Sequence, residues 1–217
     1  MPQHWALWLG IEGDLRFISH HDVMREMQRL CTRADIPLRY SQGFNPHPVM
    51  SIACPRPVGV ASLADVVVMD LDDTPDPLSP QDILTRANAT APQGMTFTRA
   101  ENLQGKKTLH PRKIQYQLAI QPEEASRLAA RLDELSGLPV WTVARRKADK
   151  AGHGRFTHED LDIRNMVADL RLEGQLLLWT QMPAGEVWAK PGEVLELLGL
   201  DGRVDLARLK RMDVEYD

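Results

Sequence analysis

The spacing of apolar positions changes several times along this chain, and each change predicts an element. Trp5–Ile11 is a nearly unbroken apolar run that stops at Glu12-Gly13-Asp14, a strand followed by a turn. From Val23 the period lengthens. Val23, Met27, Leu30, Cys31 and Ala34 recur at intervals of four, three, one and three residues, which places them on one face of a helix. Ser19 opens that helix, because its hydroxyl can accept the N–H three residues on and Asp22, at that third position, can answer it. Pro37 closes the segment. Residues 39–62 follow no period; Gly43, Pro46, Pro48, Pro55, Pro57 and Gly59 make extended pieces and turns alternate there. Val66–Leu71 predicts a β-branched strand. Ser79-Pro80-Gln81-Asp82 starts a helix that runs to about Ala89, and Met95–Arg99 predicts another strand.

That order, β–α–β–β–α–β, is the ferredoxin-like split βαβ arrangement. A second series follows it. Ile114–Ile120 alternates as a strand, and Pro122–Leu135 is an amphipathic helix with Ala125, Leu128, Ala129, Leu132 and Leu135 on one face. Val140–Ala144 predicts a strand and Arg145–His158 a hydrophilic arm. Asp162–Leu170 and Gln175–Gln181 read as strands paired around Leu172-Glu173-Gly174. Pro191–Leu198 reads as a short helix capped by Gly199, and Leu206–Val214 as a last strand. The expected fold class is α+β, with tandem ferredoxin-like (βαββαβ) domains at residues 1–105 and 106–217. The second carries a basic arm at 145–158. The halves share an order of elements rather than a sequence.

Composition narrows the classes. At 43% hydrophobic and 26% charged residues, the chain is too apolar for disorder and too mixed for a fibre. No apolar run approaches the roughly 20 residues that span a bilayer, and Met1-Pro2-Gln3-His4-Trp5 lacks the basic flank and apolar core of a secretory leader. A cytoplasmic protein with no membrane partner is expected. Cys31 and Cys54 are too few for a disulfide scaffold, or for an iron–sulfur cluster held by the chain's own thiols, and suit a reducing cytosol. The net charge of −4 argues against a generally basic nucleic-acid glove. Local clusters survive beneath that average: Lys106, Lys107, Arg112 and Lys113 in one, and Arg145, Arg146, Lys147, Lys150 and Arg155 in another. Each can bind phosphate, because screening confines a charge's reach to about 8–10 Å.

Three constellations carry candidate chemistry. On the first predicted helix, His21, Arg25, Arg29 and Arg33 stand four residues apart and form a stripe opposite the core. Guanidiniums with only Asp22 and Glu26 nearby can track a phosphate backbone. The plainer alternative is a solvated face with ion pairs. His20 sits at the border of core and surface, where a histidine beside a tyrosine such as Tyr40 acts as acid or base, or else hydrogen-bonds a carbonyl. No Asp, Glu, His or Cys spacing resembles a metal site, and adjacent histidines on a helix diverge by about 100°, so neither metal nor cofactor is expected. The third constellation is the stiff loop Tyr40-Ser41-Gln42-Gly43-Phe44-Asn45-Pro46-His47-Pro48. It offers hydrogen-bonding heads on Gln42, Asn45 and His47 and flat surfaces on Tyr40 and Phe44. A stiff loop loses little entropy on binding, and bases stack on such rings. A packed structural turn would use the prolines equally well.

Leu15-Arg16-Phe17-Ile18-Ser19-His20-His21-Asp22, the Tyr40–Pro48 string and Pro57-Val58-Gly59-Val60 together resemble the signature of the bacterial radical SAM-linked proteins. Members of that family occur alone or fused behind a radical SAM domain. The resemblance covers residues 5–100 closely and the second half more loosely, through Asp162-Ile163-Arg164 and Lys190-Pro191-Gly192-Glu193-Val194-Leu195. His20 is the histidine that matches. The opening is also similar, more distantly, to the CRISPR repeat-processing endoribonucleases, which implies tandem ferredoxin-like domains and an RNA ligand. Gly192, Gly199 and Gly202 are too dispersed to make the late glycine-rich loop of those nucleases.

The reading these residues favour is a non-catalytic RNA-binding or substrate-presenting partner of a radical SAM enzyme. Arg16, Arg25, Arg29 and Arg33 would contact phosphates, with affinity falling steeply as salt rises. Gln42, Phe44, Asn45 and His47 would shape the recognition loop, and Lys107, Arg112, Arg145, Arg146 and Lys147 would extend the contact on arms that order on binding. Two alternatives stand beside it. One is a metal-independent endoribonuclease using His20 and Tyr40; the other is a protein–protein adaptor whose stiff loop grips the radical SAM subunit.

Overall fold

The structure, a computed structural model, describes residues 3–105, 108–148 and 156–217, with the side chains of Lys147 and Ala148 left out. Along the chain the elements are β1 (Gln3–Ile11), α1 (His20–Arg33), β2 (Met50–Ile52), β3 (Ala61–Leu71), α2 (Pro80–Thr90), β4 (Met95–Asn102), β5 (Pro111–Ala119) and α3 (Pro122–Gly137). There follow β6 (Thr142–Ala148), β7 (Phe156–Asp162), β8 (Val167–Glu173), β9 (Leu176–Gln181), α4 (Pro191–Leu197) and β10 (Leu209–Tyr216). Two compact units divide the chain: Met1–Pro111 with Arg211–Asp217, and Arg112–Lys210. The fold is mixed α+β.

In the first unit β1 lies between β4 and β3 and runs antiparallel to both. Because β1 occupies one edge of β3, β2 and β10 share the other. The period-2 alternation of a strand explains the apolar runs. Trp5, Leu7, Leu9 and Ile11 of β1, with Val67, Met69 and Leu71 of β3, meet the apolar faces of α1 and α2. Ala6, Val66 and Val68 face the other way and join Leu109 in a second buried cluster. Both faces of the central strands are covered, so they read as near-continuous hydrophobic sequence.

Helix α1 starts and packs as its sequence predicts. The Asp22 N–H donates to Ser19 Oγ at 3.2 Å, and Val23, Met27, Leu30, Cys31 and Ala34 are all buried. At α2, Ser79 and Asp82 complete a reciprocal capping box with Pro80 in the first turn. Gly94 is required where β4 begins. It has φ +88, and an added Cβ would stand 2.5 Å from the Glu12 carbonyl. Strand β3 begins at Ala61, five residues before the β-branched run, because Ser62 and Asp65 are buried polar residues that hide the pattern.

In the second unit β9 pairs antiparallel with β5 and β8. The stretch expected as a hydrophilic arm, Arg145–His158, contains strand among its described residues: Thr142–Ala148 pairs antiparallel with Phe156–Asp162, β6 with β7. Its apolar alternation is weak because every residue of β7 except Leu161 is exposed, while Val143 of β6 is buried. Polar anchors replace the missing hydrophobic face. The Trp141 N–H donates to Asp162 Oδ1 at 2.9 Å, and Arg145 binds Glu193. The strand expected over Asp162–Leu170 is broken by a 3-10 turn at Arg164–Met166, which lets Ile163 bury completely. The last strand starts at Leu209 rather than Leu206, since Asp205–Arg208 forms another such turn.

Both thiols are interior. Burial pushes the Cys31 thiol up to about 12, and burial raises Cys54 as well, against the opposing pull of Arg211. A chromogenic disulfide reagent is therefore expected to titrate neither thiol of the native protein at neutral pH, and both once denaturant is added. Rapid native reaction of either would contradict the packing.

Candidate functional site

The outer face of α1 is a groove of about 450 Å³ lined by Arg25, Gln28, Arg29, Thr32 and Arg33. All three guanidiniums are open to solvent, with side chains 69%, 69% and 46% exposed. They are not free charges, however. Arg25 pairs with Asp22 at 3.0 Å, and Arg33 with Glu26 at 2.9 Å while donating to the Thr90 carbonyl at 3.1 Å. Arg29 reaches the same Glu26 only at 3.9 Å. Two carboxylates thus offset much of three cations. At exposed sites such pairs are weak enough for a phosphate to displace.

The loop 40–48 is a closed hairpin. Tyr40 bridges to Pro48, the Ser41 N–H donates to the His47 carbonyl at 2.8 Å, and the His47 N–H donates back to Ser41 Oγ at 3.1 Å. The His47 ring is pinned as well, its Nδ1 lying 2.9 Å from Ser41 Oγ. These bonds leave Gln42, Phe44, Asn45 and His47 exposed at the tip, and Phe44 reaches 107% relative exposure. The loop joins the helix groove through one contact that the sequence pattern did not single out: Gln28 Nε2 donates to the Tyr40 hydroxyl at 3.4 Å. That bond ties the base of the loop to the edge of the groove.

His20 and Tyr40 are not brought together among the described hydrogen bonds. Tyr40 turns to Gln28, whereas the exposed His20 ring meets His21 edge-on at 5.5 Å. The cavity that His20 borders with Arg56 and Asp65 holds about 10 Å³, room for one water. A ligand of His20 must lie on the outer surface.

Beneath His20 is a polar cluster whose members went unread in the sequence. Asp65 pairs with Arg211 through one oxygen, while its other oxygen lies at ion-pair distance, 3.4 Å, from Arg56 Nε; the three side chains are 3%, 1% and 4% exposed. Arg56 also donates to the carbonyls of Arg16 at 2.8 Å and Leu15 at 3.1 Å, which fastens the turn leading into α1. Burial lowers the Arg56 pKa, and Asp65 opposes that shift. Arg211 Nε donates to Ser62 at 3.1 Å, and its Nη1 donates to the Cys54 carbonyl at 2.8 Å. The readable signal was Asp65 itself, a lone carboxylate inside an apolar strand that must find a cation. Arg16, above this cluster, lays its guanidinium 4.8 Å from the Phe17 ring.

A family model described as "Uncharacterized protein conserved in bacteria (DUF2344)" matches residues 5–190. The chain belongs to this bacterial family. No curated protein matches it. The family match takes in α1, the hairpin loop, Asp65 and Arg56, and it runs on through β9, while Arg211 lies beyond it.

Of the candidate residues in the second unit, Arg112 is exposed at the start of β5. Arg146 is exposed on β6 with its guanidinium 3.3 Å from the Phe156 ring centroid. Arg145 is occupied instead: it grips Glu193 with two hydrogen bonds, at 2.7 and 2.6 Å, and donates to the Trp188 carbonyl at 2.7 Å. That pairing raises its pKa. Lys107 and the side chain of Lys147 lie outside the described residues, as do Lys106, Lys150 and Arg155. No described helix is long and apolar enough to cross a membrane.

Proposed function

We propose that this protein is a non-catalytic RNA-binding component that presents bound RNA to a radical SAM enzyme. The single observation that carries the binding half is Phe44. A fully exposed aromatic side chain at the tip of a hairpin closed by Ser41 and His47 does nothing for this chain's own core. Rigid placement of such a ring lowers the entropy lost on binding, and nucleobases stack on it. The adjoining groove supplies Arg25, Arg29 and Arg33 for phosphates and Gln28 for polar contact. The strand order β4–β1–β3 with β2 on β3 fits a ferredoxin-like first domain. The radical SAM partner rests on the resemblance of the Arg16–Asp22 and Tyr40–Pro48 strings, and the two buried thiols offer no cluster ligands of their own.

The carboxylates Asp22 and Glu26 change the expected salt behaviour. Three unpaired arginines would give a steep dependence; paired ones release fewer counterions on binding. A fluorescence-polarisation titration with single-stranded RNA should yield a log–log salt slope of about −1 to −2, taking about −0.7 per phosphate neutralised. Arg29→Glu should weaken binding severalfold and flatten the slope. No binding at low salt would end the proposal. Cleavage of that RNA in excess chelator, abolished by His20→Ala, would replace it with the nuclease reading.

A further inference from the structure

A second surface lies on the face of the first unit's sheet that turns away from α1 and α2. There Trp8 of β1 pairs in register with Arg99 of β4, and the Arg99 guanidinium carbon lies over the Trp8 ring, 4.2 Å from a ring centroid. Glu101, two residues along the same face, holds the guanidinium by an ion pair. The Arg99 side chain is still 60% exposed, so the plane supported from below by Trp8 is open above. It opens into a cleft of about 450 Å³ that Trp8 and Arg99 share with Asn102, Gln104 and Tyr216. That volume is within the range of small-molecule sites, roughly 300–1,000 Å³.

A supported guanidinium plane is a stacking platform for a flat heteroaromatic ring. The polar groups around the cleft narrow the choice. Side-chain amides match the donor and acceptor edge of adenine, whereas the O6 and N7 of guanine call for an in-plane Arg or Lys, and Arg99 is engaged by Trp8 and Glu101. The Asn102 Oδ1 accepts the Gln104 N–H at 2.9 Å, so Asn102 would donate its amide N–H to a ring nitrogen while the Gln104 side-chain oxygen would accept from N6. The carboxylates of Glu101 and Asp217 at the rim oppose a phosphate. We infer that this cleft binds the adenine ring of an uncharged adenosine-type nucleoside, stacked on Arg99. The site is separate from the α1–loop surface and does not depend on its RNA reading.

Isothermal titration of the full chain with adenosine tests this. Saturable one-to-one binding is expected with a Kd on the order of 0.1–1 mM. Arg99→Ala should weaken it at least about tenfold, the scale of one stacked base, without moving the melting temperature of an exposed position. Arg99→Lys, which keeps the charge and loses the plane, should weaken it too. Arg29→Glu on α1 should leave it unchanged, so the two surfaces fail separately. Absence of saturation, undiminished affinity in Arg99→Ala, or tighter binding of adenosine monophosphate than of adenosine would overturn the inference.

Discussion

Asp65→Ala is expected to destabilise the folded chain by about 3–5 kcal/mol, a large share of the stability of a typical domain. The reason is the asymmetry of a buried ionic cluster. Asp65 is the carboxylate shared by Arg56 and Arg211, and all three side chains are less than 5% exposed. Its removal leaves two guanidiniums facing each other in a medium that solvates neither. An exposed pair such as Arg171 with Glu173, 52% and 57% exposed, should by contrast change stability by less than about 1 kcal/mol when broken. Urea denaturation distinguishes the two cases. The loss at Asp65 should also persist in high salt, because ions do not screen a buried pair. A local consequence accompanies the global one: with Arg56 released, the Gly59 N–H bond to the Arg16 carbonyl should exchange faster. If Asp65→Ala unfolds at the same urea concentration as the wild type, the cluster is not what holds this turn.

How far these features were legible in sequence depends on whether their partners are near in the chain. Helix α1 was readable because its period, its Ser19 cap and its closing proline all lie within twenty residues. The 40–48 loop was readable as a stiff turn, since prolines and glycine act locally. Asp22 and Glu26 were legible beside the stripe, and ion pairing was the plainer alternative; that Glu26 takes Arg33 as well, seven residues and two turns on, was not. The β6–β7 hairpin was hidden because alternation along β7 is weak and one of its anchors joins Arg145 to Glu193, 48 positions apart. The same holds for Arg211 with Asp65 and for Arg99 with Trp8, which depend on strand register that no short window contains.

The second large effect concerns Phe44 and separates binding from folding. Phe44→Ala should shift stability by no more than about 0.5 kcal/mol, since a side chain at 107% exposure packs against nothing. RNA affinity should fall by about tenfold or more, given that one base–aromatic stack contributes about 1–3 kcal/mol. Phe44→Trp should preserve or raise it. The salt slope is the discriminating readout. Losing a stacked ring removes no phosphate contact, so the Phe44→Ala slope should equal that of the wild type, whereas Arg29→Glu should flatten it. A parallel fall in affinity and slope for Phe44→Ala would mean that the loop acts by positioning the arginine groove, through Tyr40 and Gln28, and not by stacking. Unchanged RNA affinity, combined with loss of a protein partner that otherwise co-purifies after nuclease treatment, would make the hairpin tip a protein contact. The RNA reading would then fail at the residue that carries it.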